Sequence, residues 1–167
     1  FGIVYGISDF GLGEQIGVSR RVAKAYIDVY LNKYSGIKKF MEDIVEKAKE
    51  QGYVETLFNR RRYIPELKSN SYVVRQFGAR IAMNTPIQGT AADIMKIAMI
   101  RVHQELEKRK LKSKLVLQVH DELIIEAEKS EKEEVKELLQ NAMEEAITLE
   151  IPLKAEVSEA DNWYDAK

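Results

Sequence analysis

The stretch LVLQVHDELIIEA, from Leu115 to Ala127, decides the fold that this sequence predicts. Two apolar runs, Leu115–Val119 and Leu123–Ala127, have the length and composition of β-strands. Between them lies a polar tip of three residues: His120, Asp121 and Glu122. Turns between strands usually contain Gly, Asn or Pro. The flanks therefore predict a hairpin, and its tip needs a chemical explanation.

Hydrophobic periodicity predicts helices before this hairpin. Ser19 is the predicted N-cap of one helix, and a second helix has an apolar face from Ile37 to Ala48. A long helix begins near Asn70. Pro86 and Gly89 predict a kink or break in it, and a capping-box pattern then predicts the start of a further helical stretch, at Thr90 and Asp93.

Three more segments complete the expected architecture. Residues 53–67 are expected to form a short hairpin or an extended segment. Ser130 and Glu133 predict a capping box for a helix after the main hairpin, and Pro152–Val157 is expected to be a last strand. Strands that pair after intervening helices predict an α+β fold, mainly helical with a small antiparallel sheet.

Composition excludes several classes of protein. At 167 residues the chain is one domain or part of one, and no apolar run approaches the roughly 20 residues that span a bilayer. The absence of cysteine excludes disulfides, thiolate catalysis and cysteine-ligated zinc. That absence fits a reducing compartment, so we expect a cytoplasmic protein that does not use a membrane.

The net charge of −1 conceals an asymmetry along the chain. Residues 126–167 contain 13 Asp and Glu and 5 Lys and Arg, a net charge of −8, which leaves +7 for residues 1–125. A basic body predicts a polyanionic partner. A solvated surface with unevenly placed charge is the simpler explanation of the charge alone.

Four groups of residues are candidates for binding or chemistry. A stiffly held carboxylate at Asp121 suits a hard cation such as Mg²⁺, although a polar turn stabilised by Asp explains the same residue. The other three groups are a donor stripe at four-residue spacing, an arginine run, and two aromatic residues one helical turn apart: Arg80, Asn84 and Gln88; Arg60, Arg61 and Arg62; Phe1 and Tyr5.

Each of these groups has a functional and a structural interpretation. The donor stripe matches the acceptors that every base pair presents in the minor groove of DNA, or it is a solvated helix face. The arginine run could hold phosphates or lie free on the surface. The aromatic pair could stack on a base or belong to the core.

Three motifs in this order resemble the C-terminal part of family A DNA polymerases, the bacterial DNA polymerase I type. They are FGIVYG at residues 1–6, QGTAAD at 88–93 and QVHDE at 118–122. The segments ETLFNRRRYIP and DNWYDAK fit the same pattern. The resemblance covers essentially the whole chain and implies a right-hand polymerase, with residues 1–57 in the fingers and 58–167 in the palm.

The resemblance also implies roles for the candidate residues. Asp121 matches a catalytic aspartate that binds metal, Glu122 its supporting acidic neighbour, and His120 a histidine near the primer terminus. The donor stripe matches minor-groove contacts to primer and template, and the arginine run would contact DNA phosphates. The aromatic pair matches the end of the fingers helix beside the incoming nucleotide and the templating base.

The implied activity is template-directed transfer of a nucleotidyl group from a dNTP to a primer 3′-OH, assisted by two Mg²⁺ ions. In the family, a triphosphate-binding Arg and Lys precede the first motif, and a second aspartate lies in an upstream motif of the type DYSQIE. The sequence contains none of these. We therefore expect the chain alone to be inactive and to need the upstream polymerase segment, besides primer-template DNA and dNTP.

Two other functions fit parts of the pattern. A non-catalytic duplex DNA-binding module would use the donor stripe and the arginine run without turnover. A metal-dependent hydrolase would use His120, Asp121 and Glu122, but it needs further ligands. The only other histidine, His103, lies among helix-face residues and is interpreted as structural.

Overall fold

The computed structural model describes residues 1–166, which divide into two compact units, Phe1–Thr90 and a second unit that begins at Ala91. The α+β class expected from the sequence is confirmed, with helices and two small antiparallel sheets. The predicted boundary after residue 57 separates functional regions. The boundary at Thr90 is one of packing and does not test it.

Three helices open the first unit: α1 (Asp9–Ile16), α2 (Arg20–Lys33) and α3 (Ser35–Gln51). The hydroxyl of Ser8 accepts a hydrogen bond from the N–H of Gly11, and that of Ser19 accepts one from Val22. These bonds satisfy N–H groups that have no partner within the helix. The predicted N-cap at Ser19 is therefore confirmed.

A short hairpin follows, as predicted for residues 53–67. Strand β1 (Tyr53–Glu55) pairs antiparallel with β2 (Arg61–Tyr63), and a 3₁₀ helix covers Pro65–Lys68. One face of the hairpin joins the core of the unit. The buried residues of this core come from α3, the hairpin, the 3₁₀ helix and the helix that follows: Ala48, Val54, Ile64, Leu67 and Ala82.

The helix α4 (Tyr72–Lys108) runs through Pro86 without ending there. A kink or a break was predicted there, and the break is wrong, because a proline removes one N–H donor from the ladder and the helix continues on both sides of it. The kink stays a prediction. The Thr90 hydroxyl donates to the Pro86 carbonyl from within the helix. The predicted capping box at Thr90 and Asp93 is therefore also wrong, since both residues lie inside α4.

The second unit contains the main hairpin, as predicted. Strand β3 (Lys114–Val119) pairs antiparallel with β4 (Glu122–Glu126), with an irregular register between Leu115 and Leu117. The helix α5 (Lys132–Glu144) packs with the hairpin and α4 around an apolar core. Its buried members are Met95, Ala98, Val102, Leu106, Leu123, Val135, Leu138, Ala142 and Ala146.

Two local predictions in this unit are wrong. No side chain caps α5, whose N-cap is Glu131, so Ser130 and Glu133 form no capping box. Residues 152–157 form no strand. The N–H of Ala155 donates to the Glu144 carboxylate at 3.1 Å instead of to a neighbouring strand. Within residues 1–166, no helix is long and apolar enough to cross a bilayer.

Candidate functional site

The predicted donor stripe, from here on called the donor row, lies on one face of α4. Because the helix continues through Pro86, the four-residue spacing keeps Arg80, Asn84 and Gln88 in one row. Arg80 and Gln88 are exposed, and Asn84 is half-buried. The guanidinium of Arg80 also lies 6.0 Å from the centre of the Phe77 ring. The row offers hydrogen-bond donors to a ligand that approaches this face.

The opening segment packs against the middle of this row. The N–H of Tyr5 donates to the carbonyl of Phe1 at 3.2 Å, so the two aromatic residues are one helical turn apart, as expected. The Asn84 side-chain amide donates to the Tyr5 carbonyl at 3.5 Å. Gly6 has a φ of +77°, and a Cβ there would lie 2.5 Å from the Met83 methyl group. Only glycine allows this close approach without displacement.

The Asn84 side chain has one unsatisfied end. Its Oδ1 atom is buried and has no hydrogen-bond partner within residues 1–166. Burying an acceptor without a partner costs about 1–3 kcal/mol. Phe1 is fully exposed, and Tyr5 is exposed at the edge of the turn. Because a hydrogen bond joins Asn84 to Tyr5, these two residues form one surface. The ring of Phe1 is accessible from solvent.

The three arginines divide between the two faces of the first hairpin. Arg60 donates to the carbonyl of Gly89 at 3.1 Å, and Arg62 donates to the Thr85 hydroxyl at 3.4 Å. Arg61 lies on the opposite face, where it donates to the Glu55 carboxylate at 2.8 Å. Side chains alternate between faces along a strand. Arg60 and Arg62 thus contact α4 at residues that directly follow members of the donor row, and Arg61 lies on the other face.

The contacts of Arg61 are with side chains of its own hairpin. The hydrogen bond that Arg61 donates to the Glu55 carboxylate raises the pKa of Arg61 above its usual value. Its guanidinium lies 4.6 Å from the centre of the Tyr53 ring, and the Tyr53 and Tyr63 rings are 5.7 Å apart. A phosphate group that binds Arg61 would compete with these contacts.

A close contact holds the loop of this hairpin against α4. A Cβ on Gly89 would lie 2.8 Å from the Thr56 methyl group. The Thr56 hydroxyl accepts hydrogen bonds from the N–H groups of Phe58 and Arg60, both at 3.2 Å. The N–H of Leu57 donates to the Thr90 hydroxyl at 3.0 Å. The QGT sequence therefore supplies the small residue and the hydroxyl that this docking requires.

In the second unit, the main hairpin exposes its polar tip. The loop consists of His120 and Asp121, between the paired residues Val119 and Glu122. His120 has a φ of +51°, a left-handed conformation that costs a non-glycine residue roughly 1–2 kcal/mol. The Gln118 amide donates to the His120 carbonyl at 2.8 Å. All three tip residues are exposed.

The chemistry of the tip fits a hard cation. Asp121 and Glu122 offer carboxylate oxygens, the ligand type that Mg²⁺ prefers. Within residues 1–166, however, no three or more His, Asp or Glu residues lie close enough to hold a metal ion. Asp121 could hold a magnesium ion whose other ligands come from water, from phosphate oxygens or from additional chain.

Sequence reasoning assigned no role to Trp163, which contacts the tip. Its indole N–H donates to the Glu122 carboxylate at 3.4 Å. The available signal was that Trp163 is the single tryptophan of the chain and lies within DNWYDAK. Contacts between residues this far apart in sequence leave no local pattern.

Comparison with known proteins shows the class to which this chain belongs. The profile described as DNA polymerase family A matches residues 1–165. The chain is 54% identical to DNA polymerase I of Bacillus subtilis, covering 100% of this chain and 19% of that protein. It is 52% identical to DNA polymerase I of Caldicellulosiruptor bescii, covering 100% of this chain and 20% of that protein. The chain belongs to DNA polymerase family A, as its motifs predicted.

A solved structure agrees with this assignment. The POL domain of Pol1 from M. smegmatis, in complex with DNA primer-template and dNTP, matches with a TM-score of 0.88 and 41% sequence identity. The match covers 92% of this chain and 27% of that one. The chain spans about a fifth of the length of the curated relatives it matches.

Proposed function

We propose that this chain forms part of a DNA-directed DNA polymerase, which transfers a nucleotidyl group from a dNTP to a primer 3′-OH under the direction of a template. The observation that carries the proposal is the donor row on α4 with Tyr5 packed at its middle. Family membership supports it, and so does the similar Pol1 domain, which is described in complex with primer-template and dNTP.

The donor row is the proposed contact to duplex DNA. Arg80, Asn84 and Gln88 donate to purine N3 and pyrimidine O2 atoms, which every base pair presents in the minor groove. A polymerase copies any sequence, so it gains from contacts that test the shape of a pair without reading the base. The hydrogen bond from Asn84 Nδ2 to the Tyr5 carbonyl fixes the orientation of this amide.

The arginines are the proposed phosphate contacts. Arg60 and Arg62 lie beside α4, where they position the DNA backbone without sequence preference. Arg61 also belongs to the predicted set, but it must exchange Glu55 for a phosphate to take part. Phe1 and Tyr5 are the proposed neighbours of the incoming nucleotide, because their rings are accessible from solvent.

The hairpin tip is the proposed catalytic element. Asp121 holds a magnesium ion, Glu122 supports it, and His120 lies near the primer terminus. When bound, two Mg²⁺ ions neutralise charge on the attacking and leaving oxygens. The ladder between β3 and β4 and the bond from Gln118 hold the Asp121 backbone in place, so the carboxylate needs little reorganisation to bind the ion.

The proposal includes a division of labour with other parts of a polymerase. Residues 1–57 belong to the fingers and residues 58–167 to the palm. These 167 residues do not catalyse nucleotidyl transfer by themselves, because one aspartate at an exposed tip is a poor site for two ions. An upstream polymerase segment supplies the second aspartate and the cationic triphosphate ligands.

Primer extension tests the proposal. The assay uses Mg²⁺ and dNTPs with the chain alone, and then with the upstream polymerase segment added. We expect extension only in the mixture, its loss with Asp121→Ala and its retention with Asp43→Ala, which removes an exposed carboxylate from α3. Undiminished extension by an Asp121→Ala mixture would refute the assigned role of this aspartate.

A non-catalytic duplex-binding module remains the second candidate. The donor row, Arg60 and Arg62 all lie in the first unit, which does not contain Asp121. This function predicts salt-dependent duplex binding without extension in any mixture. Arg60→Ala should make the negative slope of log K against log salt shallower by about 0.9. A hydrolase site has no such support, because residues 1–166 contain no group of three or more His, Asp or Glu side chains that could hold a metal ion.

A further inference from the structure

The segment from Glu156 to Ala166, here called the distal segment, runs beside the hairpin tip. Its residues line an open groove together with β4 and α5. The N–H of Trp163 donates to the Glu122 carboxylate at 3.4 Å, one residue from Asp121. The polymerase mechanism proposed above gives this segment no role.

An ionic anchor holds the distal segment on α5. The carboxylate of Glu159 forms ion pairs with both Lys132 and Lys136, which are one helical turn apart. Hydrogen bonds from these two lysines lower the pKa of Glu159. A carboxylate between two ammonium groups has less freedom than one in a single surface pair. The anchor lies four residues before Trp163 along the chain.

Bonds within the distal segment restrict it further. The Ser158 hydroxyl donates to the carbonyl of Ala166. The N–H of Asp165 donates to the Asn162 side chain at 3.1 Å, and the Asn162 amide donates back to the Asp165 carboxylate at 2.5 Å. The segment therefore closes on itself around Trp163 and holds the indole N–H toward Glu122.

We propose that Trp163 is a positioning residue for the carboxylates of the hairpin tip, with Glu159 as its anchor on α5. The indole N–H can donate but not accept, so it selects one placement of the Glu122 carboxylate. A fixed Glu122 in turn limits the positions open to a cation beside Asp121. This inference rests on the proposed polymerase function, because it assigns Trp163 to the same site.

The first test is independent of catalysis. Trp163 is the only tryptophan, so the intrinsic fluorescence of the chain reports on it alone. We expect Glu122→Ala to raise the acrylamide quenching constant up to about twofold, because release lets the exposed fraction of Trp163 rise from 42% towards full exposure, as in a locally unfolded segment. Glu126→Ala removes a carboxylate from the other end of β4 and should leave quenching unchanged.

The anchor is tested in the same way. The double substitution Lys132→Ala and Lys136→Ala should raise quenching as Glu122→Ala does, whereas Lys129→Ala, which removes a neighbouring lysine without an ion pair to Glu159, should not. Circular dichroism confirms that each variant is folded. Equal quenching in the wild-type chain and in Glu122→Ala would overturn the inference.

The second test measures catalysis in the mixture with the upstream segment. Trp163→Phe keeps an aromatic ring and removes the N–H donor, so the Mg²⁺ concentration for half-maximal extension should rise about two- to tenfold, the size of one typical net hydrogen bond, because the bond to Glu122 is long and exposed. Affinity for primer-template should not change. Tyr164→Phe, at the exposed neighbouring position, is the control.

The outcomes separate this inference from the function on which it rests. If Asp121→Ala retains extension, the proposed polymerase site is wrong. If Asp121→Ala is inactive but Trp163→Phe responds to Mg²⁺ as Tyr164→Phe does, the polymerase site stands and the role of Trp163 is overturned. A rise in the Mg²⁺ requirement that is specific to Trp163→Phe supports both.

Discussion

The contact between Gly89 and the first hairpin predicts an unusual effect of a mild substitution. Gly89→Ala places a methyl group on α4, where alanine is the better helix former. The new Cβ would lie 2.8 Å from the Thr56 methyl group and 3.5 Å from a terminal nitrogen of Arg60. Thr56 cannot rotate away cheaply, because its hydroxyl holds the N–H groups of Phe58 and Arg60.

The expected magnitude follows from two opposing terms. Replacing glycine by alanine inside a helix gains about 1 kcal/mol. Overpacking a well-filled contact costs about 1–3 kcal/mol. We therefore expect Gly89→Ala to lower the free energy of unfolding by about 0–2 kcal/mol. Gly36→Ala, also in a helix but with no described atom within 4 Å, should instead stabilise the chain.

Urea unfolding of a double-mutant cycle measures the contact. Thr56→Ser removes the methyl group and keeps the hydroxyl, so in this background Gly89→Ala should change stability as Gly36→Ala does. The coupling energy between positions 56 and 89 should be about 1–3 kcal/mol, the full overpacking term. A coupling energy near zero, or stabilisation by Gly89→Ala in the Thr56 background, would refute this account of the QGT sequence.

Three further predictions concern the second unit. His120→Gly relieves the positive φ of the hairpin tip and should raise the free energy of unfolding by about 0.5–1 kcal/mol in urea while it lowers primer extension in the mixture. Val102→Ala empties a site that is 0% exposed and should cost about 2–3 kcal/mol, whereas Val116→Ala, at a site that is 53% exposed, should change stability by less than about 0.5 kcal/mol. The pKa of Glu131 lies below its usual value of 4.5, chiefly because its carboxylate accepts a hydrogen bond from the N–H of Lys112. The stability that the ionised carboxylate contributes is therefore present above that pH and is lost as the pH falls through the lower folded pKa. The urea midpoints of wild-type and Glu131→Gln should therefore converge on acidification from about pH 6 to about pH 3, and a constant difference would contradict this.

Local patterns predicted the parts of the fold that local interactions determine. The two apolar runs in residues 115–127 predicted β3 and β4, because the hairpin is closed by neighbours in sequence. Ser19 capped its helix as expected. The motifs also predicted the family correctly. The roles of the individual site residues remain predictions.

The failures share a physical cause, which is that the deciding partner lies far away in sequence. Pro86 did not end α4, since the helix on both sides of it is held by two different cores. Residues 152–157 pair with no strand within residues 1–166. Glu131 was overlooked because its carboxylate binds the backbone of Lys112 and Ser113, 19 and 18 residues away. Trp163 was missed for the same reason.

The arginine run is divided between two faces of β2. The direction of each arginine side chain therefore depends on its position along the strand, and the function of the run depends on that position as well as on charge. Substituting Arg61 leaves Arg60 and Arg62 beside α4. Inserting or deleting one residue in the loop before the run keeps all three charges. It shifts the strand register by one residue, so each side chain moves to the opposite face and two of the three arginines turn away from the helix. At this site a one-residue change in loop length is a larger perturbation than the loss of a positive charge.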